Sequence, residues 1–68
     1  MNYKTNRIPR KFKTITGTFL SGNVEGKRMV ITKDELGYHG RDEEGNMWSV
    51  FVWTLRVPEA FQIENIEV

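Results

Sequence analysis

The chain predicts an all-β protein: a small antiparallel five-stranded barrel or strongly bent sheet behind a flexible basic N-terminal arm. Three observations carry this. Short runs rich in Thr, Ile, Val, Phe and Trp are separated by Gly, Asn and Asp clusters at intervals of about 8 to 12 residues. No segment sustains a helical apolar period for three turns. At 68 residues the chain is long enough for one thin core, since a domain of roughly 60 residues buries only about 60% of the surface its unfolded chain exposes.

Residues 1–11, with Pro9 and scattered apolar side chains, read as the arm, and residues 12–68 as the domain. "FKTITGTFL" from Phe12 to Leu20 is the first strand, with Gly17 marking a bend, a bulge or a close backbone approach. "SGNVEG" is a turn. "KRMVIT" from Lys27 to Thr32 is the second strand, with Met29 and Ile31 on one face and Arg28, Val30 and Thr32 on the other. "KDELG" stops it; that spelling acts as a retention address only at a C-terminus. "LGYHGRD" is a weak strand that leads through "EEGN", where Gly45 and Asn46 tolerate positive φ, into a hairpin.

The fourth strand is expected from Met47 to Val57, ending at Pro58, which cannot donate to a ladder. Its residues are apolar at odd and even positions alike. Met47, Phe51, Trp53, Leu55 and Val57 are assigned to the interior, and Phe51 is the expected anchor. The opposite face, Trp48, Val50, Val52, Thr54 and Arg56, is too apolar to stand in water and so requires cover. "PEA" reads as a 3₁₀ turn. The tail "FQIENIEV" shifts its alternation near Asn65, which predicts a final strand with a bulge. In strand count and turn spacing the chain resembles SH3-like and other small β-barrels, and that likeness implies an architecture and no activity.

The composition narrows the functional classes. With no cysteine and one histidine, His39, neither disulfides nor thiolate zinc sites can form, and no metal or cofactor is expected. "SGNVEGKR" lacks the glycine spacing and hydroxyl of a phosphate loop, and "RDEEGN" lacks the alternating ligands of a calcium loop. His39 has no nucleophile motif beside it, so an enzyme is not expected. There is neither a membrane-length apolar run nor a secretory signal, which makes the cytoplasm the expected compartment.

The net charge of +1 conceals a division. Residues 1–33 hold eight basic side chains against Glu25 alone, and residues 34–68 hold eight acids against Arg41 and Arg56. Three functional expectations follow. The first is a regulatory or inhibitory accessory module, of bacterial or viral type, binding a protein partner through Trp48, Val50, Val52 and Arg56, since Trp and Arg are enriched in interface hot spots. The second is a nucleic-acid-binding barrel in which Lys4, Arg7, Arg10, Lys11 and Lys13 neutralise phosphates while Tyr3 and Phe12 stack on bases. The third is a homo-oligomer assembled through open strand edges.

Overall fold

The computed structural model describes residues 5–68. Its strands are β1 (Thr14–Phe19), β2 (Arg28–Asp34), β3 (Gly37–Asp42), β4 (Met47–Val50) and β5 (Phe61–Glu67), with one short helix, α1 (Val52–Arg56), between the last two. They form a single antiparallel sheet in the order β4-β3-β2-β1-β5. The sheet is not closed into a barrel, because among the described residues β4 and β5 remain its two edges.

The reason lies in the segment expected to be one long strand. β4 ends at Val50, and the chain turns into α1 after Phe51. A strand of four residues spans only about 13 Å and cannot reach across to β5. The helix instead lies over the open side and drives Leu55 into the core. It stops at Arg56 because Val57 precedes Pro58 and takes an extended conformation, φ −94° and ψ 110°, as residues before proline do.

The register brings the apolar positions of every strand to one face. Ile15 pairs with Ile31 and Ile66, Gly17 with Met29 and Ile63, and Phe19 with Phe61. Ile15, Met29, Ile31, Leu55 and Phe61 are fully buried, and each contributes about 1.5 to 3 kcal/mol by leaving water. Met29 and Ile31 thus face inward as their alternation predicts. The expected bulge is present: Asn65 opposes Thr16 and Ile63 opposes Gly17, leaving Glu64 as the extra residue. Of the turn residues, Gly45 takes positive φ and Asn46 does not.

The assignment of faces is reversed from Met47 to Trp53, while Leu55 is buried as assigned. Met47, Phe51 and Trp53 are exposed, whereas Trp48 and Val50 are half-buried against the core. The register explains this, since Trp48 and Val50 pair with Gly40 and Tyr38 on the inner face of β3, where Ile31, Met29 and Val50 pack over Gly40.

The cover over that face comes from α1, from Asn6 and Ile8, which the sequence places in the arm, and from Phe12, which it places at the start of the first strand. Ile8 and Phe12 pack against the core cluster, and the Phe12 ring stacks on Tyr38 at 6.1 Å. The Asn6 amide Nδ2 donates to the carbonyls of Leu55 (2.8 Å) and Phe61 (2.9 Å), and its backbone N–H donates to Arg56 (2.9 Å). Two of these acceptors are carbonyls at the end of α1, which no helical N–H can satisfy. Asn6→Ala leaves two of the three carbonyls without this donor, so a loss of about 1 to 3 kcal/mol is expected in urea denaturation. A change below about 0.5 kcal/mol would show that the Asn6 side chain contributes nothing to the fold.

Candidate functional site

An open groove of about 420 Å³ lies between β4, α1 and the turn after β1. Its floor is Phe19, Met29, Trp48 and Val50, and its lips are Val24, Phe51 and Trp53. Ser21, Asn23, Ser49 and Thr54 supply neutral polar groups around the mouth. The lips are unusual for a small protein: Phe51 is 71% exposed and Trp53 63%. Their positions follow from local geometry. Phe51 is the hinge between strand and helix, and Trp53 is two residues from Leu55, about 200° around the helix, so burying Leu55 turns the indole outward.

The floor is held in place by Asp42, whose side chain is only 4% exposed. Its Oδ2 accepts from Trp48 Nε1 (2.9 Å) and Asn46 Nδ2 (3.4 Å), while Oδ1 accepts from the backbone N–H groups of Glu44 and Asn46 (both 2.9 Å). Lys27 Nζ lies 3.9 Å from the carboxylate and 5.5 Å over the Trp48 ring. The Trp48 hydrogen bond, with those from Asn46 and Glu44, holds the Asp42 carboxyl below its ordinary pKa of 3.8 despite the opposing effect of burial.

A depressed folded-state pKa gives stability that is complete above 3.8 and is lost as pH falls through the lower folded value. Wild-type melting temperature should therefore fall as pH drops below 3.8, more steeply than that of Asp42→Asn, and Trp48 fluorescence should change over the same range. Parallel acid profiles for the two proteins would show that the carboxylate charge does not hold Trp48.

A second cleft of about 320 Å³, lined by Glu25, Lys27, Arg28, Asp42, Glu43 and Glu44, adjoins the groove at Lys27 and Trp48. Arg28 is engaged by Glu64 through both carboxylate oxygens, 3.1 and 3.0 Å from Nε. Lys27 is engaged by Asp42 and Trp48. Among the described residues, no cation pairs with Glu25, Glu43 or Glu44.

Of the residues singled out from sequence, Trp48 and Val50 come together in the groove, while Val52 and Arg56 lie on α1 outside its lining. Phe51 and Trp53, the most accessible aromatics of the groove, were assigned to the interior because an unbroken strand would have put them there. In the basic set, Tyr3 and Lys4 lie outside the described residues. Arg7, Arg10, Lys11 and Lys13 are exposed, and Phe12 is half-buried on Tyr38. The Lys13 N–H donates to the Glu67 carbonyl at the far end of β5 from the Phe19–Phe61 pair, whereas Arg7 follows Asn6, whose side chain binds the Phe61 and Leu55 carbonyls, so the fold does not bring these cations together. His39 Nδ1 lies 3.2 Å from Asp34 Oδ2 and lines neither cleft. Among the described residues there is no group of three or more potential metal ligands, and no helix is long and apolar enough to cross a membrane. Comparison with protein-family models, curated proteins and solved structures finds no match for this chain.

Proposed function

We propose that the chain is a non-enzymatic interaction module that holds a protein partner in the groove, with Phe51 and Trp53 as its anchors. The observation that carries this reading is the exposure of two large aromatics, 71% and 63%, at the lips of an apolar groove whose floor is fixed by the Asp42–Trp48 hydrogen bond. Exposed aromatics beside a formed apolar concavity have the composition of a binding hot spot. Holding the floor in one conformation reduces the ordering cost of association. A role as a small regulatory or inhibitory accessory protein fits a surface that binds without chemistry.

The test uses Trp53 rather than Trp48, because truncating Trp48 would also remove a donor from buried Asp42. Trp53→Ala should leave the melting temperature unchanged and weaken capture of a nuclease-resistant partner from source-cell extract by about 2 kcal/mol or more, roughly 30-fold. Undiminished capture would reject the groove.

One observation favours a second reading. Arg7, Arg10, Lys11 and Lys13 are all exposed, which suits contact with nucleic-acid phosphates. Titrating labelled single- and double-stranded oligonucleotides at two salt concentrations separates the two. Under the nucleic-acid reading, each cation removed lowers the salt slope by about 0.7 to 0.9, and Trp53→Ala has no effect.

A further inference from the structure

We infer that the element held in the groove is an extended peptide strand that pairs with the free edge of β4 and carries a basic side chain roughly three residues from its apolar anchor. This deepens the groove reading and rests on it. Among the described residues, β4 pairs only with β3. Trp48, Ser49, Val50 and Phe51 line the groove consecutively. Alternate side chains of a strand point to opposite faces, so an unbroken series of lining residues means that the groove follows the strand's backbone edge.

The hydrogen-bond phase identifies the free groups. Asp42 N–H donates to the Asn46 carbonyl across the turn, which makes that pair a hydrogen-bonded one. Antiparallel pairs alternate. Trp48 opposite Gly40 and Val50 opposite Tyr38 therefore direct their backbone groups at β3, while Met47 and Ser49 direct theirs outward. An added strand would satisfy the N–H and C=O of both residues. Its inward side chains would enter the apolar groove between Trp48 and Trp53, as in strand addition generally.

Charge selects the occupant. The cleft beyond the Met47 end of β4 presents Glu25, Glu43 and Glu44, while its two cations are engaged by Asp42 and Glu64. A strand whose apolar residue lies opposite Val50 passes Met47 roughly three residues later, at about 3.4 Å per residue, and a lysine or arginine there extends towards the turn that carries Glu43 and Glu44, where it meets complementary charge. A second copy fits worse. Antiparallel pairing of two β4 edges would lay each Phe51 against the other copy's turn with Glu43 and Glu44, placing an aromatic where a cation is wanted.

The probes are three synthetic eight-residue peptides offered to the isotope-labelled full chain. One has alternating valine and threonine with a central phenylalanine and two arginines at one end. The second has glutamates for the arginines, and the third is the arginine peptide methylated on alternate backbone nitrogens. The arginine peptide should slow amide exchange at Met47 and Ser49 and shift the Trp53 indole resonance. The methylated peptide should bind about tenfold more weakly, having lost edge hydrogen bonds. The glutamate peptide should also bind more weakly, by a margin that shrinks in a Glu25→Gln, Glu43→Gln, Glu44→Gln variant.

Binding that leaves Met47 and Ser49 exchanging freely, equal affinity for the arginine and glutamate peptides, or no binding by any peptide would each overturn the inference. Concentration-dependent protection of Met47 and Ser49 without peptide would overturn it in favour of a second copy. If partner capture still depends on Trp53 in any of these cases, the groove reading stands and strand addition alone is rejected.

Discussion

Phe61→Ala should leave the protein largely unfolded at 25 °C, while Phe51→Ala should fold normally. Phe61 opens β5, is wholly buried and sets its ring 4.7 Å from that of Phe19 at 52°. Truncating a buried phenylalanine costs about 3 to 5 kcal/mol, because the cavity left behind collapses only in part. A 68-residue domain has only about 3 to 10 kcal/mol to lose. Phe51 is 71% exposed, so its truncation should change stability by less than about 0.5 kcal/mol. Amide dispersion and denaturant midpoints of the two variants decide the matter. The opposite ranking would restore Phe51 to the interior and remove the groove's lip.

That pair of phenylalanines also marks the boundary of what sequence periodicity resolves. In β2 alternation identified the inward residues Met29 and Ile31, since Arg28 and Thr32 mark the opposite face as the wet one. The phase shift in "FQIENIEV" located the bulge for the same reason. Between Met47 and Val57 both phases are apolar, so periodicity could not choose a face. The choice was made by partners distant from the run: Trp48 pairs with Gly40 on the inner face of β3, and Asp42 accepts its indole N–H. Pairing "GRD" with "MWSV" across the EEGN turn would have indicated both.

The helix was not legible locally. Its N-cap is Phe51 with no side-chain hydrogen bond, and five residues are too few to be stable without tertiary contacts. Burial of Leu55 and the carbonyl acceptors used by Asn6 hold it in place. Reading through it as strand is what hid Phe51 and Trp53. Trp48 and Val50 were found because an over-apolar face requires cover, a requirement that held although the strand's end had been misplaced.

Gly17→Ala is the substitution for which the smallest chemical change should have the largest consequence. Gly17 sits mid-strand in β1, where the register with β5 shifts. A Cβ at this position would run into the Gln62 carbonyl oxygen and the ring of Phe61. Neither can yield cheaply, because the carbonyl belongs to the neighbouring strand and the ring is already packed on Phe19. Gly40 is less tightly crowded, and its Cβ would meet Ile31 Cδ1 and Met29 Sδ, both at 2.8 Å, which are the ends of flexible side chains. Overpacking costs about 1 to 3 kcal/mol or more, against a gain of at most about 1 kcal/mol from the less flexible unfolded chain. Gly17→Ala should therefore lower the melting temperature by about 4 to 8 °C for each kcal/mol of net loss, and by more than Gly40→Ala. Since a displaced Phe61 ring would press on Phe19 in the groove floor, peptide binding should weaken as well. A variant melting at or above the wild-type temperature would mean that β1 and β5 do not approach as closely as the bulge requires, and that the floor of the groove is not fixed by that contact.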